Sequence, residues 1–285
     1  MSRISTAAAT CLLLLALAAP AHAAGNPEIA ALQVGLRQQG LYQGTVDGVL
    51  GVGTANGVRR LQRRAGLAVD GLAGPRTKAA LGRYGLRSPL GRRPLAPGMR
   101  GWDVAALQFA LAWHGFPSGN FDGTFGASTE RALREFQRWS GLLADGRAGS
   151  AVFAALRRPL PACPLPLAAP VAALVTDTFG PRGGRFHSGI DYPGRVGTPV
   201  RAAASGRVTH AGWSPGGWGN LVVLSHGNGV RTLYAHLARV GVRVGARVAA
   251  GQRVGRVGAS GNTTGPHLHF EVHLRGAAVD PLTAL

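Results

Sequence analysis

The chain has 285 residues, with 31 Lys and Arg against 12 Asp and Glu, and a formal net charge of +19 at pH 7. This charge favours anionic partners, but the arginines are scattered and do not cluster with aromatic residues, so no nucleic-acid partner is expected. The length exceeds that of a usual single domain and predicts two or three domains.

Residues 1–23 have the features of a secretory signal peptide. Arg3 precedes an apolar stretch over residues 7–19, and Ala21-His22-Ala23 is a small-x-small cleavage signal. The apolar stretch is shorter than the ~20 residues that cross a bilayer. Cleavage is therefore expected to leave a secreted, extracellular protein with no membrane anchor.

The cysteine content excludes an internal disulfide from the mature chain. Cys11 lies in the predicted signal peptide, so Cys163 remains alone after cleavage. The hydrophobic core and any bound metal must then hold the fold.

An internal repeat appears when the chain is shifted by 75 residues without gaps. It predicts a duplicated small domain, over residues 24–87 and 92–158. The matches are Ala31-Leu32-Gln33, Asp47-Gly48, Gln62, Asp70-Gly71 and Gly74 with Ala106-Leu107-Gln108, Asp122-Gly123, Gln137, Asp145-Gly146 and Gly149.

Each copy is predicted to contain three helices. In the second copy, Val104, Leu107 and Leu111 share one helical face, Leu133 and Phe136 share the next, and residues 150–156 form a short third helix. The Asp-Gly pairs supply turns between the helices.

The ordered Ala-Leu-Gln, Asp-Gly-x-x-Gly-x-x-Thr, Phe-Gln or Leu-Gln, and second Asp-Gly-x-x-Gly resemble the three-helix peptidoglycan-binding domain of cell-wall hydrolases. The resemblance implies bacterial peptidoglycan as a partner. The excess positive charge of an exported protein favours anionic wall polymers as a further partner. Most matched positions are glycines, turn aspartates and apolar residues, for which a structural role is favoured over ligand contact.

A proline-rich stretch over residues 159–170 is predicted to be an extended linker. Residues 171–285 then change to short β runs punctuated by glycine, which predicts an antiparallel all-β domain. Gly227-Asn228-Gly229 between two apolar runs predicts a tight hairpin turn. The predicted strands are Pro199–Arg201, 206–211, 221–225, 230–235 and His267–Leu274.

The last of these strands places two histidines on one face. His267, His269, Glu271 and His273 alternate with Leu268, Phe270, Val272 and Leu274, so one face packs and the other is polar. Histidines at i and i+2 have Cα atoms only ~6.7 Å apart. One can hold a metal while its neighbour reaches the metal's open position.

Further candidate ligands precede this strand. His187 and Asp191 lie four residues apart, and His236 follows Tyr-Ala after the predicted hairpin. One carboxylate and several histidines without a ligating cysteine suit a hydrolytic zinc site with three protein ligands. Spacing alone leaves the roles of these residues open.

The complete set resembles the lysostaphin-type zinc metallopeptidases, whose signature is HxxxD, then a His preceded by Tyr-x, then HxH. The resemblance implies that His187, Asp191 and His269 bind Zn²⁺ and that His236 and His267 are the catalytic histidines. It implies a monomeric endopeptidase that hydrolyses peptide stems or cross-bridges of peptidoglycan. Its place would be the cell wall, or the periplasm where the envelope has an outer membrane.

Three alternatives bear on the same residues. A non-catalytic wall-binding or amidase-activating protein would retain the fold, but such relatives usually lack a signature residue. A carboxypeptidase of another fold that trims terminal D-alanine has a longer His-to-Asp spacing. Glu271 as a general base is disfavoured because about 13 Å of strand separates it from His267.

Structural roles are expected for the other histidines, His114, His210, His226 and His273. For Tyr234 and Asn220, packing or turn roles are at least as well supported as contact with substrate.

Overall fold

The computed structural model describes residues 25–82, 89–159 and 162–285. In these ranges six α-helices precede eleven β-strands, so the predicted order of helical domains followed by an antiparallel β domain is confirmed. The predicted signal peptide lies outside the described residues. None of the helices in the described ranges has the length and apolarity needed to cross a membrane.

Each copy of the repeat contains three helices, as predicted. Asn26 caps the first helix by accepting a hydrogen bond from the Glu28 N–H at 2.8 Å. The helices are α1 (Pro27–Gln38), α2 (Val52–Arg64) and α3 (Pro75–Ala80) in the first repeat, and α4 (Trp102–Trp113), α5 (Ala127–Trp139) and α6 (Ser150–Ala155) in the second.

A buried glutamine closes each Asp-Gly loop of the repeats. Gln108 Nε2 donates to Asp122 Oδ1 at 2.9 Å and to Thr129 Oγ1 at 3.1 Å, and its Oε1 accepts from the Gly123 N–H at 2.9 Å. Equivalent bonds to an aspartate carboxylate and a glycine N–H are made by Gln33, Gln62 and Gln137. The repeated glutamines and aspartates therefore hold the loops of the fold.

The β domain is one nine-stranded antiparallel sheet with a separate hairpin, β1–β2. The sheet runs β11-β10-β7-β6-β5-β8, with β3 on β10, β9 on β7 and β4 on β9. The strands are β1 (Gly180–Arg182), β2 (Arg185–His187), β3 (Ile190–Pro193), β4 (Pro199–Arg201), β5 (Gly206–Ser214), β6 (Gly219–Gly227), β7 (Val230–Val240), β8 (Arg247–Val248), β9 (Arg253–Val257), β10 (His267–Leu274) and β11 (Ala277–Val279).

The β6–β7 connection and strand β10 follow the sequence pattern closely. Asn228 and Gly229 both have positive φ, +49° and +75°, as a primed hairpin turn requires. On β10, Leu268, Phe270 and Val272 are fully buried in the core. The predicted alternation of an apolar and a polar face is confirmed.

The two repeats pack against each other through the equivalent helices α1 and α4. Gln38 of α1 donates to the backbone oxygen of Asp122 at 2.7 Å across this interface. The second repeat also contacts the β domain, where Trp139 Nε1 donates to the Leu274 oxygen at 3.2 Å. The proline-rich segment ends on the β domain too, because Leu167 is buried and its N–H donates to the Ala284 oxygen at 2.7 Å.

Candidate metal centre and active-site groove

Strand pairing brings a carboxylate beside a histidine. In the β3–β10 register Asp191 is the direct partner of His269. His187 ends β2, and the chain returns to Asp191 through Gly189. A Cβ at Gly189 would lie 2.8 Å from the Glu271 side chain and 3.0 Å from the His269 ring, so only glycine allows this close return.

Three candidate ligand atoms converge at this point. His187 Nε2 lies 3.0 Å from His269 Nδ1 and 3.2 Å from Asp191 Oδ1, and His269 Nδ1 lies 2.8 Å from the same oxygen. All three residues are buried. They form a His-Asp-His group whose ligand atoms are within 4.8 Å of one another.

Hydrogen bonds on the far sides of the two rings test whether this group suits a cation. His187 Nδ1 faces the Thr178 backbone oxygen at 2.9 Å, and His269 Nε2 faces Glu271 Oε1 at 3.0 Å. Since both partners only accept hydrogen bonds, the ring protons lie on those nitrogens. The unprotonated nitrogens and Asp191 Oδ1 then face one another, an arrangement that repels unless a cation lies between them. The donor set fits Zn²⁺.

Glu271 orients the His269 ring from below the site. The carboxylate is 1% exposed, accepts from His273 Nε2 at 2.6 Å, and also accepts from the Ser188 hydroxyl. Burial alone would raise the pKa of Glu271, but the hydrogen bonds from His269 and His273 lower it to about 2. These contacts give Glu271 a supporting role at the His269 ring and agree with the expectation that it is not the general base.

The charged groups of the site shift the pKa values of Asp191 and His269 in opposite directions. A proton in place of a metal ion turns the facing ring nitrogens into donors. In that state burial would raise the pKa of Asp191, but hydrogen bonds from His187 and His269 outweigh it and hold that pKa far below its usual range. Burial opposes protonation of His269, yet Asp191 and Glu271 together raise its pKa to about 9. The site therefore attracts a positive charge, either a metal ion or a proton.

His236 and His267 lie beside this group with their rings 4.8 Å apart between centroids. His267 Nδ1 lies 2.9 Å from the Gly265 backbone oxygen, and His236 Nδ1 lies 2.8 Å from the Ser260 oxygen. These acceptors fix the proton on Nδ1 of each ring and leave both Nε2 atoms as bases. His267 Nε2 is 3.7 Å from Asp191 Oδ1.

The backbone at His236 is unusual for its residue type. Its φ is +59°, in the left-handed region that non-glycine residues seldom adopt, and its N–H donates to the Trp218 oxygen at 2.9 Å. The registers of β7 with β6 and β9 both shift near this residue. Such distortions re-aim a side chain, and here they direct His236 into the groove.

All five predicted site residues line one groove of about 710 Å³. Its walls also contain Arg182, Trp218 and Pro266, which the sequence reasoning did not assign to the site. Trp218 lies 5.7 Å from the His269 ring, and Arg182 Nη1 lies 3.5 Å from Asp191 Oδ2. The Gly216-Gly217 pair before Trp218 signals a loop in the sequence, but no pattern there indicates a groove wall.

The remaining residues considered from sequence lie outside the groove. Tyr234 is fully buried and its hydroxyl accepts from the Ala203 N–H at 2.8 Å, while Asn220 Nδ2 donates to the Leu237 oxygen at 3.0 Å. His226 faces Thr232 Oγ1 at 2.7 Å. His210 lies inside β5, which continues beyond the predicted residue 211 to Ser214. These contacts are structural.

Three segments of the chain match models of known protein families. Residues 185–281 match the model of peptidase family M23, and residues 25–81 and 100–156 each match the model of a putative peptidoglycan binding domain. The β domain is an M23 peptidase domain. Peptidases of family M23 are zinc metallopeptidases, which agrees with the His-Asp-His group.

Individual proteins are similar to this chain over about a third of its length. DD-carboxypeptidase/endopeptidase Mpg of Neisseria meningitidis is 48% identical over 99 residues, covering 35% of this chain and 23% of that protein. Lysostaphin of Staphylococcus simulans is 46% identical over 89 residues, covering 31% and 18%. The solved catalytic domain of S. simulans lysostaphin is 38% identical, with 39% of this chain and 90% of that domain covered at a TM-score of 0.36. The chain thus spans about a quarter or less of the length of these curated relatives.

Proposed function

We propose that this protein is a secreted zinc endopeptidase that hydrolyses peptide stems or cross-bridges of bacterial peptidoglycan. The observation that carries the proposal is the groove in which His187, Asp191 and His269 bring three candidate ligand atoms together beside two further histidines. The peptidoglycan-binding repeats on the same chain support a wall substrate. Cleavage of residues 1–23 would release the enzyme to the wall, or to the periplasm of an outer-membrane envelope.

We assign the zinc ligands to His187 Nε2, Asp191 Oδ1 and His269 Nδ1. Zn²⁺ in this position would polarise the scissile carbonyl and lower the pKa of water for attack on it. Thr178 and Glu271 hold the two rings in the tautomers that leave these nitrogens free. Outer partners of this kind fix ring orientation at metal sites.

His236 and His267 move protons in this proposal. Each ring holds its Nδ1 proton on a backbone carbonyl, so Nε2 accepts a proton from the attacking water and returns it to the leaving amine. Once protonated, Nε2–H of either ring can donate to the carbonyl oxygen and stabilise the negative charge that develops on it. Asp191 is not the base in this proposal, because its Oδ1 would bind Zn²⁺ together with His187 and His269.

The open shape of the groove suits an extended peptide. Trp218 supplies an apolar wall, and the glycine-rich loops on both sides allow a backbone to approach closely. The Asn262 N–H donates to the Gly217 oxygen at 2.8 Å, which ties the two loops together. A preformed groove orders an unbranched peptide at low cost.

Digestion of purified peptidoglycan tests the proposal. The full chain should release peptide fragments, lose this activity with a chelator, and regain it with Zn²⁺. His269→Ala should lose both zinc and activity, whereas His267→Ala should retain zinc and lose activity. Full activity of His269→Ala would exclude the ligand assignment, and an inactive zinc-loaded wild-type chain would favour the non-catalytic alternative.

A second candidate activity is removal of the terminal D-alanine, because the relative Mpg is named a DD-carboxypeptidase/endopeptidase. Arg182 places a guanidinium at the edge of the groove, where Nη1 donates to Asp177 and lies 3.5 Å from Asp191 Oδ2; its remaining N–H donors can receive a terminal carboxylate. Mass spectrometry of products from uncross-linked and cross-linked fragments separates the two activities. Release of D-alanine alone would replace the endopeptidase proposal.

A further inference from the structure

A second cleft, of about 490 Å³, lies where both repeats meet the β1–β2 hairpin. We call it the inter-repeat cleft. Arg182 lines both this cleft and the catalytic groove, so the two are neighbours along one surface. The cleft is lined by Val34, Arg37 and Gln38 of the first repeat, Asn120, Phe121 and Asp122 of the second, and Arg182, Gly184 and Arg185 of the hairpin.

Hydrogen bonds from both repeats fix the floor of the cleft. The Val46 N–H donates to the Gly183 oxygen at 2.7 Å, and the Phe121 N–H donates to the Gly184 oxygen at 2.8 Å. Gln38 connects the repeats through the Asp122 backbone. Because three parts of the chain are joined at this point, the cleft is formed before any ligand arrives.

The cleft is positively charged. Arg37 uses one N–H on the Gly44 oxygen at 2.6 Å, and Arg185 uses Nε–H on Asn120 Oδ1 at 2.6 Å. Among the described residues neither guanidinium has a carboxylate within 4.0 Å. Each guanidinium has five N–H donors, so most remain available to a ligand. Asp122, the single acidic side chain lining the cleft, accepts from Gln108 and the Thr124 N–H.

We propose that the inter-repeat cleft binds a carboxylate-bearing peptide of the same wall strand that enters the catalytic groove. This inference rests on the proposed function and extends its substrate site onto the repeats. Planar guanidinium groups bind carboxylates through paired hydrogen bonds, and Arg37 of the first repeat and Arg185 of the hairpin both bring such groups to the cleft. A peptide is favoured over an anionic wall polymer because the cleft adjoins a groove where peptide is cut.

The arrangement gives the repeats a role in substrate placement. A wall peptide bound at Arg37 and Arg185 would pass Arg182 before it reaches His267 in the catalytic groove. The repeats then fix which segment of peptide enters the groove, in addition to raising the local enzyme concentration at the wall.

The test measures binding without turnover. Full-length protein carrying His267→Ala is titrated calorimetrically with a soluble disaccharide–pentapeptide and with the same probe after amidation of its carboxylates. Arg37→Gln/Arg185→Gln should raise the Kd for the free-acid probe about tenfold, which corresponds to about 1.4 kcal/mol of binding free energy. The amidated probe should bind weakly to both proteins and be insensitive to the substitutions.

Arg63→Gln/Arg131→Gln is the matched control, because it removes the same charge from exposed positions on α2 and α5 that do not line the cleft. Equal Kd values for the two double variants, or no binding of the free-acid probe, overturn the inference. Loss of polyglycerol-phosphate binding without loss of peptide binding would assign the cleft to a wall polymer instead. Peptidoglycan hydrolysis by the chain with His267 intact tests the proposed function separately.

Discussion

Val46 and Phe121 occupy equivalent positions in the two repeats, 75 residues apart, and their N–H groups donate to the consecutive carbonyls of Gly183 and Gly184. A duplicated loop is therefore used twice on one hairpin of the peptidase domain. That hairpin leads directly into His187. The repeats thus form part of the support of the proposed metal site, and this relationship links wall recognition to the geometry of the groove.

Trp113 is expected to transmit this support. Its ring packs edge-on against Phe179 and Phe186, at centroid distances of 6.2 and 5.3 Å, and Phe186 precedes His187. Trp113→Ala should destabilise the fold by about 3–5 kcal/mol and weaken zinc binding about tenfold, as the loss of outer support does at metal sites. Competition with a chelating indicator measures the zinc affinity.

Phe153→Ala separates this effect from loosening of the second repeat. Phe153 is equally buried but packs in the core of that repeat, away from the hairpin. It should lower the free energy of unfolding by a similar amount and leave zinc affinity unchanged. If both variants weaken zinc binding alike, Trp113 has no specific role in positioning the hairpin.

The buried glutamines should differ in importance within one repeat. Gln108 Nε2 donates to Thr129 Oγ1. At the position where the repeat pattern would place a threonine partner for Gln137, the chain has Val152. Gln108→Leu leaves more polar groups unpaired and should cost about 3 kcal/mol of unfolding free energy, about 1 kcal/mol more than Gln137→Leu. Urea unfolding measures both, and a larger cost for Gln137→Leu would contradict this account.

Local patterns predicted much of the architecture because they depend on neighbours in sequence. The 75-residue repeat indicated three helices in each copy, and alternation on β10 indicated which face carries His267 and His269. The Asn228 turn needs only two residues with positive φ. Such features require no knowledge of the distant parts of the chain.

The features that escaped prediction depend on contacts between distant segments. The docking of Trp113 onto the hairpin joins residues far apart in sequence. The tautomers of His187 and His236 depend on backbone oxygens of Thr178 and Ser260, which carry no side-chain signal. The predicted linker gave no indication that Leu167 would be buried on the β domain.

Glu271 should be required for zinc affinity. An amide at this position keeps the size of the side chain, but it offers one acceptor oxygen and places N–H donors against His269, His273 or Ser188. Glu271→Gln should weaken zinc binding about 10- to 100-fold. Zinc content after dialysis against a graded chelator series measures the change. Glu135→Gln, at an exposed position of α5, should bind zinc like the wild type, and equal retention by Glu271→Gln would remove Glu271 from the site.

His114 should make the stability of the second repeat depend on pH. The ring is buried beside Phe136, and Nδ1–H donates to the Ala110 oxygen at 2.8 Å. Burial lowers the pKa of His114 below its ordinary value of 6.5, an effect that hydrogen bonds to the Ala110 and Arg158 oxygens only partly offset. The folded chain therefore keeps this histidine neutral where the unfolded chain protonates it.

The sign of the effect follows from proton linkage. Below about pH 6.5 the unfolded state binds more protons at this position, so the free energy of unfolding falls as the pH falls, by at most about 1.4 kcal/mol per pH unit. Urea unfolding from about pH 7.5 to about pH 5 should show a stability difference between wild type and His114→Gln that shrinks as the pH falls. His210→Gln controls for replacing a histidine elsewhere in the chain. A difference that stays constant over this range would mean that His114 is not kept neutral by its burial.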